Sequence, residues 1–202
     1  MSRRVIVAIA VTVAALAGIV ANESRSSSAA SITAAPRGEP PKVLGPTDGL
    51  VPGGTSVFDD ATPAVANLDP QLLTALRRAA TDAARNGVTF HVNSGWRSAA
   101  YQQQLLRDAV LEYGSEAKAK RWVSTPSTSQ HVAGRAVDIG PPRAAAWLST
   151  HGASYGLCQI YRNEPWHYEL RLGGCPRMYA DPTYDPRMRA RSVRRAARSH
   201  GQ

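Results

Sequence analysis

The chain predicts an α+β domain: a small, mainly antiparallel sheet flanked by helices. Two observations lead there. Helical periodicities dominate the first half of the folded region, over residues 70–86 and 98–113, and short strand signals crowd the second half, over 135–139, 157–161 and 166–170. No internal repeat and no Gly-rich phosphate loop argues for another architecture.

That domain does not fill the chain of 202 residues. Arg3 and Arg4 precede an almost unbroken apolar run over residues 5–21, so residues 1–21 have the layout of an export signal peptide. At 17 residues the run also approaches the lower limit for a membrane-spanning helix, and anchoring to the membrane through residues 5–21 is the alternative. Ala21 offers a small residue at a cleavage point, whereas Ile19 departs from the A-x-A pattern. Both fates place the remainder outside the cytoplasm. Residues 22–55, rich in Ser, Pro, Gly and Ala with no apolar period, predict a flexible linker. Residues 56–176, about 120 in all, suffice for one domain with a single core.

The formal net charge of +9 invites a nucleic-acid reading, and its distribution argues against one. Arg3, Arg4 and the six arginines from Arg187 onward account for all but +1 of it. The folded part is nearly neutral and lacks the basic face that nucleic acid requires. The basic tail, residues 177–202, has no apolar stripe and is expected to be disordered, with attachment to an anionic surface as the alternative. Oligomeric state leaves no mark in the sequence. Only Cys158 and Cys175 occur. In an exported chain an even pair predicts a disulfide, worth about 3 kcal/mol for a loop of that size, and two buried free thiols are the alternative.

The elements follow from local signals. Asp69 before Pro70 is a helix start and Gly87 a stop, with Leu72, Leu73, Leu76, Ala79, Ala80 and Ala83 on one stripe. Residues 88–93 alternate β-branched and aromatic side chains and read as a strand. Ser98 caps a second helix reaching Tyr113 before Gly114, with a buried stripe expected at Tyr101, Leu105, Ala109 and Tyr113. Arg97 therefore stands on a strand-to-helix turn, where binding residues gather. A short helix is expected over 116–123, a strand over 135–139, and a helix over 142–151 stopped by Gly152. Residues 157–161 and 166–170 predict a hairpin turning through 162–165.

The chemistry concentrates in two stretches. His131 and Asp138 are separated by a glycine turn and the start of a strand, and Glu164 stands three positions before His167. Two imidazoles, one aspartate and a spare glutamate are the parts of a hydrolytic zinc site, which uses three protein ligands and keeps one position open. Pro165 and the strand signal after it exclude the helical H-E-x-x-H arrangement, so the ligands must converge from separate segments. On this reading His131, Asp138 and His167 hold the metal and Glu164 handles protons. His91, His151 and His200 lack carboxylate partners at useful spacing and read as ordinary strand, helix-end and tail residues.

These motifs resemble a known family. Ser94-Gly95-Trp96-Arg97-Ser98, then Gln102 and Leu105, then Ser129-x-His131-x-x-Gly134-x-Ala136-x-Asp138, then Glu164-x-Trp166-His167-Tyr168 are similar to the VanY-type D-alanyl-D-alanine carboxypeptidases, over roughly residues 56–168. The resemblance implies the small antiparallel sheet flanked by helices that these peptidases share with the hedgehog signalling domain. It implies zinc on His131, Asp138 and His167, Glu164 as general base, and hydrolysis of the terminal D-Ala-D-Ala bond of a peptidoglycan stem peptide. Arg97 would grip the free carboxylate of the last residue, and Ser129, Gln102 and Trp166 would lie beside the substrate. Trp96 stands where a tyrosine is more usual. An L,D-carboxypeptidase or a peptidoglycan endopeptidase with the same machinery competes with this reading, as does a zinc-containing binding module without turnover. Glu164 separates the enzymes from the module, because a pure binder needs no proton acceptor beside the metal.

Overall fold

A computed structural model of the chain describes residues 43–188. The signal-or-anchor segment, residues 22–42 of the expected linker, His200 and the tail beyond Met188 lie outside the described residues. No helix among the described residues is long and apolar enough to cross a membrane.

After a 3-10 turn at Pro46–Asp48, a four-residue helix α1 (Pro63–Ala66) leads into α2 (Pro70–Arg85). The start of α2 is built as the sequence predicts: the Asp69 carboxylate accepts from the backbone N–H groups of Gln71 and Leu72 at 2.9 and 3.4 Å. Its buried stripe is Leu72, Ala75, Leu76, Ala79, Ala80 and Ala83, with Leu73 partly buried beside it. The strand expected from residue 88 begins later, as β1 (His91–Ser94). Val88 still donates to the Ala83 carbonyl at 3.0 Å, which ties it to the helix end, so Val88 and Phe90 enter the core ahead of the strand.

Helix α3 (Ala99–Tyr113) is capped by Ser98, whose hydroxyl accepts from the Tyr101 N–H at 3.1 Å. Its buried face differs from the expected one. Gln102, Leu106 and Ala109 point inward, while Tyr101, Leu105 and Tyr113 are only half-buried. The rotation has a polar cause: Gln102 is 1 % exposed and bonds to Arg97, Ser129 and the Ser124 carbonyl. Apolar periodicity cannot register a buried amide. Helix α4 (Glu116–Ala119) is one turn long, shorter than expected.

The sheet is completed by β2 (Ala136–Gly140), β3 (Leu157–Gln159) and β4 (His167–Leu170), with helix α5 (Pro142–His151) between β2 and β3. Strand order is β1-β2-β4-β3 and every pair is antiparallel. The small antiparallel sheet flanked by helices predicted from the sequence is what the chain forms. One face carries Val92, Val137, Ile139, Leu157 and Tyr168 into the core under α2 and α5, and the Tyr168 hydroxyl donates to the Ala145 carbonyl at 2.7 Å. Successive side chains alternate faces, so Asp138, His167 and Glu169 project together on the other side. That side is covered as well, and all five residues of β2 are buried.

The hairpin loop is longer than expected. Ile160 and Arg162 leave β4 and bond to Tyr179 instead: Tyr179 N–H donates to the Ile160 carbonyl and Arg162 N–H to the Tyr179 carbonyl, both at 2.9 Å. The packed chain also overruns the expected domain limits of 56 and 176. Upstream, Asp48 is 2 % exposed and accepts from the Ser98 hydroxyl at 2.9 Å. Downstream, Asp181, Pro182, Asp185 and Met188 are buried, so residues 177–188 belong to the folded unit and not to a disordered tail. Both overruns are anchored by buried carboxylates (Asp48 upstream, Asp181 and Asp185 downstream), which is why composition assigned them to linker and tail. Cys158 and Cys175 form the expected disulfide, and Cys158 packs with Ile160, Tyr161 and Met188.

Gly95 marks the tightest approach between the site-bearing turn and the helices. A Cβ there would lie 2.0 Å from the Ala64 carbonyl oxygen, whereas one on Gly53 would meet nothing within 4 Å. Gly95→Ala should therefore cost about 1–3 kcal/mol through forced displacement, read as a lowered Tm, while Gly53→Ala stays within about 0.5 kcal/mol. Equal melting of the two variants would show that the turn yields freely.

Candidate active site

Register builds the centre of the site. Asp138 on β2 stands opposite Ser94 on β1 and opposite His167 on β4, so three polar side chains form one row across the sheet. His131 arrives from the loop before β2. That loop is closed by Arg135 N–H to the Gln130 carbonyl at 2.8 Å, and it turns at Gly134 with φ +68°. A Cβ on Gly134 would sit 2.6 Å from the Asn67 carbonyl oxygen, so both conformation and space require glycine.

The three expected ligands converge. His131 Nε2 lies 3.2 Å from His167 Nδ1 and 3.4 Å from Asp138 Oδ1, and His167 Nδ1 lies 3.2 Å from the same oxygen. A tetrahedral centre with metal–ligand bonds of about 2.0–2.1 Å has edges of about 3.3–3.4 Å, so the triangle has the size that such a centre needs. Its tautomers are also set. His131 Nδ1 donates to the Gly95 carbonyl at 2.8 Å and His167 Nε2 donates to Glu169 Oε1 at 3.3 Å, which turns His131 Nε2 and, once its proton has left, His167 Nδ1 toward the centre as the lone-pair nitrogens. The residues present thus fit a divalent cation in donor type, spacing and orientation.

Glu164 leans over this triangle without joining it. Its Oε2 lies 3.6 Å from His167 Nδ1, and its Oε1 is buried with no hydrogen-bond partner among the described residues. An orphaned carboxylate oxygen beside three metal donors is placed to meet a water in the fourth position. Burial, reinforced by the charges of Asp138 and Asp181 and opposed by His167 and Arg97, pushes its pKa up to about 7.

Arg97 ties the row together. Nε donates to Ser94 Oγ at 2.7 Å, Nη1 to Gln102 Oε1 at 3.1 Å, and Nη2 to Asp138 Oδ2 at 3.0 Å. Two of its five N–H groups remain available, and its side chain lines the cavity over the triad. Ser129 donates to Gln102 Oε1 at 3.2 Å and receives the Val132 N–H. With its amide oxygen accepting from both and its Nε2 donating to the Ser124 carbonyl, Gln102 acts as a buried bracket behind Arg97 and Ser129. Trp166 is half-exposed on the rim, and its carbonyl accepts from the Ile139 N–H. The cavity holds about 240 Å³ and also has walls from Trp122, Tyr161, Pro182 and Met188. A larger cleft of about 470 Å³ adjoins it along β4 and contains none of the three donors, so donor chemistry rather than volume locates the site.

Three contributors escaped sequence reasoning. Glu169 is two residues after His167, and strand alternation would have put it on the same face. Tyr161, whose ring centroid lies 5.1 Å from that of His167, and Arg187, which ion-pairs with Glu169 at 2.8 Å, gave no local signal.

The electrostatics follow from burial and partners. Burial and the Arg97 charge hold His131 below the ordinary imidazole value. Burial also disfavours charge on His167, but hydrogen bonds to Asp138 and Glu169 outweigh it and raise its pKa to about 10. Burial would raise Asp138, yet the two imidazoles and Arg97 hold it well below the carboxylate range. Glu169 likewise resists burial through His167 and Arg187, and falls to about 2.

A family model for VanY, described as D-alanyl-D-alanine carboxypeptidase, matches residues 65–171, more than half of the chain. The chain belongs to the VanY family. A curated D-alanyl-D-alanine carboxypeptidase from Enterococcus faecalis (strain ATCC 700802 / V583) is 34 % identical over an alignment of 113 positions, and the match covers 43 % of this chain and 42 % of that protein. The chain thus spans less than half the length of that relative. A vancomycin-resistance D,D-pentapeptidase VanY variant, solved in complex with Zn(II), is 29 % identical and covers 51 % of this chain and 72 % of its own, with a TM-score of 0.48. The LdcB LD-carboxypeptidase is 28 % identical and covers 52 % and 66 %, with a TM-score of 0.45. Every candidate ligand, Glu164, Arg97, Ser129, Gln102 and Trp166 lies inside the VanY-matched segment, whereas Cys175 and Arg187 lie beyond it.

Protonation gives a prediction. With its pKa raised to about 10, His167 of the metal-free protein carries at neutral pH a proton on the nitrogen a cation would take. Binding of a divalent cation must release that proton, so apparent affinity should rise by up to about tenfold per pH unit from pH 6 to 9. Calorimetry in buffers of different ionisation enthalpy should count about one proton released. Affinity independent of pH would contradict a charged His167.

Proposed function

We propose that this chain is a zinc-dependent carboxypeptidase that removes the terminal D-alanine of D-Ala-D-Ala-ended peptidoglycan stem peptides. The observation that carries the reading is the buried triangle of His131, Asp138 and His167 with the unpartnered Glu164 carboxylate beside it, in a member of the VanY family. Such a substrate lies in the cell wall, so the reading includes work outside the cytoplasm, as a secreted protein or one held at the membrane by residues 5–21.

His131 Nε2, Asp138 Oδ1 and His167 Nδ1 would hold the zinc. Bound there, zinc supplies Lewis acidity, lowering the pKa of a water toward about 7 and polarising a carbonyl. Glu164 accepts a proton from the attacking water and returns it to the departing amine, a task for which a pKa of about 7 suits it. Arg97 has planar donors left over after bonding Ser94, Gln102 and Asp138, and with them it binds the free carboxylate that distinguishes a chain end from a mid-chain bond. Ser129 and Gln102 fix the guanidinium that does so. Trp166 and the neighbouring rim close the cavity around the last residues and limit water.

The deciding experiment incubates the zinc-loaded protein with a stem pentapeptide ending in D-Ala-D-Ala, a tetrapeptide with a single terminal D-Ala on an L-centre, and a cross-linked dimer. D-Alanine should leave the pentapeptide, chelation should stop its release and zinc should restore it. Release from the tetrapeptide alone would make the protein an L,D-carboxypeptidase, and cleavage of the dimer alone an endopeptidase. No release by a zinc-bound protein would make it a binding module.

Glu164→Gln separates chemistry from stability. Turnover should fall about 100- to 10,000-fold with zinc retained. The folded pKa of Glu164 is raised, so ionising it costs nothing below about pH 4.5 and progressively destabilises the fold up to about pH 7. The metal-free variant should therefore be more stable than wild type by up to about 3 kcal/mol at pH 8 and unchanged at pH 4, measured by denaturant titration. A variant of normal activity would remove Glu164 from the mechanism. Replacing Arg97 by Met should slow free peptides more than their C-terminal amides, and equal losses would remove the carboxylate clamp.

A further inference from the structure

We propose that the strap formed by residues 181–188 is a working part of the metal centre, with Arg187 and Asp185 positioning the ligand His167 through Glu169 and Tyr161. The inference rests on the reading of His131, Asp138 and His167 as metal ligands. It adds residues that lie outside the segment matched to the VanY family.

The connection is continuous. His167 Nε2 donates to Glu169 Oε1 at 3.3 Å. Glu169 is 1 % exposed and receives the Arg187 guanidinium fork-on, from Nη1 to Oε2 at 2.8 Å and from Nη2 to Oε1 at 3.2 Å. Arg187 is held in turn by Asp185, fully buried, which accepts the Arg187 backbone N–H at 2.9 Å and Nε at 3.0 Å and also contacts Nη2. Asp185 then receives the Tyr161 hydroxyl at 3.1 Å, and the Tyr161 ring lies against His167. Met188 pins the end of the strap beside Cys158, Ile160 and Tyr161. The strap therefore reaches one imidazole by two routes, through the partner of its Nε2 and through the ring beside it.

The chemistry explains why both routes matter. A buried Glu169 without its fork would be free to turn away, and His167 would lose the acceptor that orients its Nε2 and so aims its Nδ1. Arg171 also reaches Glu169, at 2.6 Å, but with a single nitrogen. Among the described residues only Arg187 contacts both carboxylate oxygens and so fixes the orientation of the carboxylate.

The test titrates Zn2+ alone into the metal-free full-length chain against a chromophoric chelator, with the Tm of the metal-free form measured in parallel. Glu169→Gln and Arg187→Met should each weaken Zn2+ binding about 10- to 100-fold. Arg187→Lys, which keeps the charge and loses the fork, should fall between wild type and Arg187→Met. The double variant should lose no more than the worse single one, because the two residues act in series. Leu148→Val, a core change on α5 away from the strap, should lower the Tm and leave affinity unchanged. Arg187→Met with a lowered Tm and wild-type Zn2+ affinity would overturn the role of the strap while leaving the metal centre intact. Should that variant not fold, wild-type affinity in Arg187→Lys would overturn it equally. A wild-type chain that binds no Zn2+ would overturn the metal reading itself and this inference with it.

Discussion

The site depends on the antiparallel pairing of Asp138 with His167. Side chains alternate along a strand, so a slip of one residue between β2 and β4 would send one of these two groups into the apolar core and the other to the polar face. The register is held from both sides. Below the sheet, Val137, Ile139 and Tyr168 pack under α2 and α5, and above it Arg97 bonds to both Ser94 and Asp138 across the first strand pair. Burying the apolar face and assembling the ligand row are therefore one event. The fourth participant, His131, needs no strand, because a glycine turn and a single bond to the Gly95 carbonyl suffice to aim it.

Around that row the charges come in matched layers. Asp138 is paired with Arg97, and Glu169 with Arg187 and Arg171. Each pairing is nearly or partly buried, and removing either partner would leave an ion without compensation, the costly case for a protein interior. Such layers do more for geometry than for stability. A carboxylate gripped at both oxygens cannot rotate, and an imidazole that donates to it cannot exchange tautomers.

How much of this the sequence disclosed depended on whether the signal was local. The ends of α2 and α5 were legible because Asp69, Pro70, Gly87, Pro142 and Gly152 act on their own backbone neighbourhood. The candidate donors were legible because two histidines each come with a carboxylate at a useful spacing, and the fold brings His131, Asp138 and His167 together. The phase of α3 was not, since Gln102 is buried by bonds to residues far along the chain rather than by its own polarity. The strap was least legible. Asp181, Asp185 and Arg187 have the composition of a solvated tail, yet the two aspartates are buried and Arg187 is half-buried because Arg121, Tyr161 and Glu169 wait for them elsewhere in the sequence. Apolar patterning detects segments that fold by leaving water; it is blind to segments that fold by matching charge.

Glu164 and Glu169 show what that matching accomplishes. They flank the same histidine, both are buried, and their pKa values diverge to about 7 and about 2. Burial alone would raise both, so the difference lies in the cations. His167 and Arg187 hydrogen-bond to Glu169 and hold it as an anion, whereas no arginine bonds to Glu164 among the described residues and one of its oxygens stays unpartnered. A locked anion serves as a fixed acceptor for an imidazole but cannot exchange a proton near neutral pH; a carboxyl poised near 7 can. On the proposed reading, an arginine fork on Glu164 like that of Arg187 on Glu169 would leave the candidate metal donors in place and remove the base. The partners each carboxylate finds thus divide one residue type into a brace and, on the proposed reading, a proton carrier.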